Sequence, residues 1–226
     1  TLHLVGGTLA ATKRVIRNGG FAGNLAGGTH HAFADRGAGY CIFNDLAVCA
    51  RYAQVEFGFQ NLLIIDLDVH QGDGTASIFR FDDQVHTFSM HCGKNFPFRK
   101  QKSDWDIPVE TDISDQQYLE VLEEALEVLF AREPELIFYQ AGVDPLADDR
   151  LGRLSLSRET LQRRNHMVLS RAHQRNIPMV LTMGGGYSEP IQLSAQAHAD
   201  VFRQAAAMMT ASASASSESP DGHITV

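Results

Sequence analysis

The sequence predicts an α/β protein of three layers, in which helices cover both faces of a central, mostly parallel sheet. Short apolar segments of strand length alternate along the chain with longer segments whose apolar residues recur at helical spacing. The best-defined strand, residues 62–67, is almost continuously apolar, which is typical of a strand buried on both faces of a parallel sheet. A chain of 226 residues is long enough for one large domain of this kind.

The first half of the chain opens with a predicted helix over residues 3–18, which ends at the common helix stop Gly19-Gly20. Asn44 is a favourable N-cap for a second helix that runs to about residue 57. The other predicted elements are strands at 21–28, 61–67 and 85–90 and a short helix after Gly74.

In the second half, Ser114 begins a long amphipathic helix through about residue 131. Residues 92–112, which contain the only tryptophan, Trp105, are predicted to be irregular. The other predicted elements are strands at 136–140 and 178–183 and helices at 157–174 and 190–209.

The two ends of the chain differ in character. From Thr210 the sequence is rich in alanine and serine and has no means of burying itself, which predicts a disordered tail over residues 210–226. Residues 1–209 are predicted to form a single domain. The chain begins without a methionine and directly in a helix, which suggests a fragment or a processed product with sheet elements missing in front.

The composition limits the classes of function. A net charge of −8, from 27 acidic and 19 basic residues, disfavours direct binding to nucleic acid and is compatible with a cationic substrate. No apolar segment is long enough to span a membrane, and no signal-peptide pattern opens the chain. The three cysteines fit a reducing compartment and argue against a disulfide scaffold or a thiolate zinc site. We therefore expect a cytoplasmic protein.

Polar side chains follow the predicted strands where chemistry is expected. Asp68 and His70 come after the strand at 62–67 and, being two residues apart, point the same way. Asp144 follows the strand at 136–140, and open α/β sheets place their sites beyond the carboxyl ends of the strands. Because unpaired buried charge is very costly, these residues indicate a divalent metal site with a position open for water and substrate. Imidazole and carboxylate ligands accept both Zn²⁺ and Fe²⁺.

A metal-activated water needs a base to take its proton, and the His30-His31 pair is the candidate. Asp66 and Asp73 lie nearby in sequence and could each hold one of the two histidines. Tyr187, which follows a triple-glycine turn, could donate its hydroxyl group to the developing oxyanion.

Each feature also has a simpler interpretation. A histidine pair in a loop is usually solvent-facing, and Asp144 before Pro145 could be only a turn former. Glycines 184–186 could cradle a phosphate, although the lysine and Ser/Thr of a P-loop are missing. Ser89 and His91 could be ordinary strand-end residues, and we leave His91 outside the site. The joint occurrence of these residues at successive strand ends favours a site.

Five motifs, in order, resemble the successive motifs of the histone deacetylase family, the zinc-dependent enzymes of the arginase/deacetylase fold. They are residues 27–32 (GGTHHA), 39–45 (GYCIFND), 66–74 (DLDVHQGDG), 141–145 (AGVDP) and 184–187 (GGGY). The segment 148–157 (DDRLGRLSLS) most resembles the small class IV branch and its bacterial relatives.

The resemblance implies specific roles. The implied zinc ligands are Asp68, His70 and Asp144. His31 would be the main general base, oriented by Asp73, while His30 would be held by Asp66. Tyr187 would bind the substrate carbonyl. The residues implied to form the walls and rim of a narrow acyl-lysine channel are Gly39, Tyr40, Phe96 and Leu151.

The resemblance also implies a bound monovalent cation, usually potassium. Its implied ligands are Asp66, the hydroxyl group of Ser89 and the backbone carbonyls of Asp68, His70 and Met90. A cation close to His30 would lower its proton affinity. Tyr40 stands where many relatives have phenylalanine, which adds a hydroxyl group without removing the aromatic wall. Family members also carry a leading strand and an N-terminal loop, and neither is found before Thr1.

The resulting hypothesis is a metal-dependent amidohydrolase that removes an acyl group, most simply acetyl, from a lysine ε-amine. An acetylated polyamine or another small acylated amine is an alternative substrate for the same site. A catalytically silent module that binds acyl-lysine is a second alternative, although a pure binder gains nothing from an open metal position. The sequence leaves the natural substrate, the acyl-chain length, the resident metal and the oligomeric state open.

Overall fold

The fold is that of a computed structural model, which describes residues 1–217. Its helices are α1 (Leu2–Asn18), α2 (Asp45–Phe57), α3 (Asp73–Phe79), α4 (Asp115–Phe130), α5 (Arg158–Gln174) and α6 (Gln192–Ser217). Its strands are β1 (Phe21–Asn24), β2 (Leu62–Asp66), β3 (Val85–Cys92), β4 (Trp105–Val109), β5 (Leu136–Gln140) and β6 (Met179–Thr182).

The strands of the described chain form one sheet in the order β1-β6-β5-β2-β3-β4, and every neighbouring pair is parallel. From β2 the chain moves outward through β3 to β4 and then crosses back to β5 on the other side of β2. This reversal makes the boundary between β2 and β5 the switch point at which open α/β sheets place their ligands.

Helices pack on both faces of the sheet, which confirms the predicted three-layer architecture. Leu62 and Ile64 of β2 belong to the core cluster that includes residues of α1, α2 and α3. Leu63 and Ile65 point the opposite way and belong to the larger cluster that includes residues of α4, α5 and α6. None of the described helices combines the length and apolar character needed to cross a bilayer.

The predicted starts of three helices are confirmed by their capping interactions. Asn44 and Ser157 each accept, with a side-chain oxygen, the amide hydrogen of a residue in the first turn of α2 and α5. Ser114 and Gln117 form a capping box at the start of α4. These caps fix where the helices leave the loops that carry the candidate site.

Two strand predictions need correction. The segment 92–112 is not irregular throughout, because Trp105–Val109 form β4 and pair with β3. Pro108 obscures this strand in the sequence, and it is tolerated because β4 is an edge strand that needs no amide hydrogen on its free side. The first strand is shorter than predicted, since the Asn24 side chain accepts the amide hydrogen of Ala26 and begins a turn.

The last helix is longer than predicted. α6 continues to Ser217, past the expected end at about residue 209. Alanine has the highest intrinsic helix propensity, so an alanine-rich segment can continue a helix without burying its side chains. The helix thus includes residues 210–217 of the predicted disordered tail, residues 218–226 lie outside the described residues, and the tail stays a prediction.

Candidate metal centre and adjoining cavity

Three potential metal ligands converge at the switch point of the sheet. Asp68 and His70 follow β2, and Asp144 follows the neighbouring strand β5. His70 Nδ1 lies 3.0 Å from Asp68 Oδ1 and 3.0 Å from Asp144 Oδ2. One ligand atom from each residue lies within 4.8 Å of the other two, and all three residues are buried. The structure thus brings together the residues that the sequence analysis singled out, and Asp144 is more than a turn former.

The surrounding chain fixes the orientation of the two carboxylates. Asp144 Oδ1 accepts the amide hydrogen of Val69 at 2.9 Å. Asp68 Oδ2 accepts hydrogen bonds from the Gln140 side chain at 2.9 Å and from the Gly185 amide at 2.8 Å. Because most of these donors belong to the backbone of the strand ends, the fold itself positions the carboxylates.

Two glycines leave the space that these carboxylates occupy. A Cβ at Gly142 would lie 2.3 Å from Asp68 Oδ2, and one at Gly185 would lie 2.0 Å from Asp144 Oδ2. Such distances are far below a normal contact, so only glycine permits this close backbone approach. The glycines at these positions are thereby explained without a bound phosphate.

The cluster concentrates negative charge that a cation would neutralise. Burial and the charge of Asp68 raise the pKa of Asp144 to about 7. Burial alone would raise the pKa of Asp68 as well, but His30 and His70 hold it well below its usual range. Burial would lower the pKa of His70, but its hydrogen bonds and charge interactions with Asp144 and Asp68 raise it to about 10. Two buried carboxylates and one imidazole form a donor set that fits a zinc or ferrous ion.

His30 and His31 are buried beside this cluster, in the loop between β1 and α2. His30 Nδ1 lies 2.6 Å from Asp66 Oδ2, and His31 Nδ1 lies 2.7 Å from Asp73 Oδ1. Each imidazole is therefore held by its own carboxylate, in the pairing that the family resemblance implies. The interpretation of the pair as solvent-facing is wrong.

The two imidazoles differ in proton affinity. Burial would lower the pKa of His30, but the charges of Asp66 and Asp68, with the hydrogen bond to Asp66, raise it to about 9. Burial and the charge of His30 outweigh Asp73 and lower the pKa of His31 to about 4. The arrangement can hold a proton on His30 and leave His31 neutral and able to accept one.

Two neighbouring polar residues that the sequence analysis did not assign to the site hold the histidine loop. The carboxylate of the buried Asp45 accepts the amide hydrogens of Gly28 at 3.1 Å and Thr29 at 2.8 Å. Asn44 donates its side-chain N–H to the His30 carbonyl at 3.3 Å. Asn44 was identified only as a helix cap, since nothing near it in sequence reveals that α2 begins against this loop.

A cavity of about 560 Å³ adjoins the ligand cluster and the histidine pair. Its inner lining includes His30, His31, Asp68 and His70. The four predicted channel residues also line it: Gly39, Tyr40, Phe96 and Leu151. The Phe96 ring meets the His31 ring edge-on at a centroid distance of 5.0 Å. Tyr40 is 89% exposed, and Tyr187 lines the cavity with its side chain partly exposed.

The cavity lining also includes residues that the sequence analysis did not single out, among them Asn95, Phe98 and Arg153. Asn95 connects its own segment to the segment that contains Leu151 and Arg153. Its side chain donates to the Leu151 carbonyl at 2.8 Å and accepts the Arg153 amide hydrogen at 2.9 Å. These contacts join segments that are far apart in sequence, so no local pattern could have revealed them.

Of the residues implied for a monovalent cation, Asp66 lies on β2, Ser89 and Met90 lie on β3, and Asp68 and His70 follow β2. Asp66 and Ser89 are register partners on these paired strands, and Met90 is buried beside Ser89. The Ser89 hydroxyl lies 3.0 Å from His91 Nδ1. His91 is absent from the cavity lining. The cation itself remains a prediction.

Comparison with known proteins identifies relatives along most of the chain. The family model described as "Histone deacetylase domain" matches residues 1–204. An uncharacterised protein from Picosynechococcus sp. is 46% identical over 206 residues, which cover 91% of this chain and 68% of that protein. Histone deacetylase 2 of Arabidopsis thaliana is 37% identical over 187 residues, which cover 81% of this chain and 48% of that protein.

A solved structure gives the same result for the fold. The crystal structure of an HDAC homologue from Aquifex aeolicus superposes with a TM-score of 0.76 at 30% sequence identity. The match covers 87% of this chain and 55% of the homologue, which confirms the predicted arginase/deacetylase fold. The chain thus spans about half the length of the Arabidopsis and Aquifex proteins.

Proposed function

The chain belongs to the histone deacetylase family, and we propose that it hydrolyses the amide bond of an acylated lysine side chain, most simply acetyl-lysine. The catalytic domain would comprise residues 1–209. One observation carries this proposal: three buried side chains that could hold a metal cluster beside two carboxylate-bound imidazoles, and Asp68, His70 and both imidazoles line a single cavity. A binding module would need the cavity but not the paired imidazoles.

Asp68, His70 and Asp144 would hold the divalent ion, either zinc or ferrous iron. When bound, such an ion supplies Lewis-acid polarisation of a carbonyl group and lowers the pKa of water. Three protein ligands leave a coordination position open, as catalytic rather than structural sites do.

His31 would act as the general base. Its Nδ1 hydrogen bonds to Asp73, which leaves Nε2 as the acceptor of a proton from the attacking water. His30, held by Asp66, would keep its proton while the water attacks. In the second half of the reaction a protonated histidine would give its proton to the departing lysine amine as the tetrahedral intermediate collapses.

Tyr187 would donate its hydroxyl hydrogen to the oxyanion. Burial and the charges of Asp68 and Asp144 raise the pKa of Tyr187, so its hydroxyl group stays protonated and able to donate at neutral pH. Gly39, Tyr40, Phe96 and Leu151 would form the channel for the acyl-lysine side chain. A potassium ion at Asp66, Ser89 and Met90 would complete the electrostatic surroundings of His30.

The direct test is release of acetate from a fluorogenic acetyl-lysine peptide by the Zn²⁺-loaded protein. An acetylated polyamine is assayed in parallel, because faster hydrolysis of that substrate would reassign the site to small acylated amines. Tight binding of the peptide with no acetate released would instead favour the silent module. Undiminished turnover in His31→Ala would overturn the assignment of the base.

A further inference from the structure

Arg164, on α5, is completely buried at the base of the metal centre. One of its guanidinium nitrogens, Nη1, donates to the carbonyl of Leu67 at 3.0 Å and to the carbonyl of Gly142 at 2.8 Å. Nε and Nη2 donate to the side-chain oxygen of Asn165 at 3.1 and 3.0 Å. The guanidinium therefore spans two separate strand ends.

This cation has no carboxylate in direct contact. Among the described residues Arg164 takes part in no ion pair, and the oxygens that accept its hydrogen bonds at 2.8–3.5 Å are carbonyl and amide oxygens. The Tyr118 hydroxyl group and the charge of Asp144 also interact with the guanidinium. A buried charge whose directly bonded partners are neutral is unfavourable, and an apolar side chain could fill the same space at lower cost. Packing alone does not explain an arginine at this position.

The two carbonyls held by Arg164 explain its placement. Leu67 immediately precedes Asp68, and Gly142 lies two residues before Asp144. Their strands, β2 and β5, are neighbours in the sheet and end at the switch point. Because a single nitrogen binds both carbonyls, it fixes the separation of the two strand ends from which the ligand carboxylates project.

We propose that Arg164 is a positioning residue that sets the distance between Asp68 and Asp144 and thereby the affinity of the centre for its divalent ion. The inference rests on the proposed function only in that it assumes these residues bind a metal. It assigns Arg164 no contact with substrate. Groups that orient metal ligands typically change metal affinity by about 10- to 100-fold when removed.

Arg164 could affect metal binding through its charge or through its hydrogen bonds, and the two explanations predict opposite changes in affinity. If Arg164 acted only through its charge, its removal would relieve repulsion and tighten binding of a divalent cation, while lysine would behave like arginine. If Arg164 acts by holding the two carbonyls, Arg164→Met should weaken binding. Arg164→Lys should also weaken it, because one ammonium cannot replace both the nitrogen that binds the carbonyls and the two that anchor the guanidinium on Asn165.

The experiment measures Zn²⁺ affinity of the full chain by competition with a chromophoric chelator, and the absorption spectrum of the Co²⁺-loaded protein. The control is Leu169→Ala, which truncates another buried side chain of the same helix, one that has no polar atom to bind either carbonyl. Thermal unfolding and circular dichroism check that each variant is folded.

We expect about a tenfold or greater loss of Zn²⁺ affinity in Arg164→Met, a smaller loss in Arg164→Lys, and altered Co²⁺ absorption in both. Leu169→Ala should lose thermal stability but retain wild-type affinity. Wild-type or tighter affinity in Arg164→Met overturns the proposal, and Arg164→Lys decides in the same way if the methionine variant does not fold. Failure of the wild-type chain to bind Zn²⁺ would overturn the metal centre itself, which keeps the two failures separate.

Discussion

His31 Nδ1 lies 2.7 Å from Asp73 Oδ1. Asp73 is the first residue of α3, so the start of a short helix orients the imidazole that lines the cavity. A carboxylate on Nδ1 fixes the tautomer in which Nε2 is free to accept a proton.

Replacing His31 by alanine should therefore reduce kcat by about 10²- to 10⁴-fold with a smaller effect on KM, because the base acts in the transition state. Asp73→Asn should reduce kcat less, by about 10- to 100-fold, since the imidazole remains but loses its orienting charge. Steady-state kinetics on an acetyl-lysine peptide give both values. The exposed Asp83→Asn serves as the matched control, and an equal loss there would contradict the assignment.

Replacing a proposed metal ligand should reduce the stabilisation that Zn²⁺ gives to the folded chain. Zn²⁺ at about 100 times its dissociation constant should stabilise the wild-type chain by about 2.7 kcal/mol through mass action. Asp144→Ala should lose most of this stabilisation, because one of the three convergent ligand atoms is gone. Thermal unfolding with and without Zn²⁺ measures the difference. Equal stabilisation of both proteins would place the metal elsewhere.

Much of this centre could be predicted because its ligands directly follow recognisable strands. Asp68, His70 and Asp144 come after strongly apolar segments, and parallel strands bring their carboxyl ends to one edge of the sheet. The order of the strands was not predicted, since β2 and β5 are separated in sequence by two other strands. That order is what places Asp144 beside Asp68.

The supporting residues could not be predicted, because their partners are distant and their local patterns are ordinary. Arg164 contacts the Leu67 carbonyl across 97 positions, and nothing in the helical pattern of α5 distinguishes it from an exposed arginine. Asp45 has the composition of a normal first helical turn, although its carboxylate binds the loop before the histidine pair. Tertiary contacts, not local propensity, determine both roles.

The glycine at the cavity wall gives a third prediction. Gly39 has a φ of 50°, and a Cβ there would lie 2.3 Å from His31 Cδ2. Gly39→Ala should therefore displace the His31 ring and lower kcat about tenfold or more, as loss of alignment at a reacting group does. Gly58→Ala is the control, since Gly58 also has a positive φ of 73° but has nothing within 4 Å of the added Cβ. The control should lose stability and keep its activity, and equal kinetic losses would show that backbone strain alone is responsible.

An ion pair between α5 and α6 gives a prediction about pH and stability. Asp200 accepts hydrogen bonds from Arg158 Nε at 2.7 Å and Nη2 at 2.9 Å. Burial would raise the pKa of Asp200, but the hydrogen bonds from Arg158 and Gln162 and the charges of Arg158 and Arg203 lower it below its usual value. A lowered carboxylate pKa stabilises the fold above the pKa of the unfolded side chain, and this contribution is lost as the pH falls through the folded value.

Asp200→Asn should therefore lower the free energy of unfolding by about 1–2 kcal/mol at pH 7, with a difference from wild type that shrinks as the pH falls below the usual aspartate pKa of about 4. Urea unfolding at a series of pH values measures this difference. The control is Asp35→Asn, which removes an Asp–Arg pair whose side chains are 76% and 57% exposed and should change stability by less than about 0.5 kcal/mol. Both variants remove one carboxylate beside an arginine, but Asp200 is buried and accepts further hydrogen bonds from Gln162 and Arg203. A pH-independent loss in Asp200→Asn would show that its hydrogen-bond geometry, rather than its charge, stabilises the contact between α5 and α6.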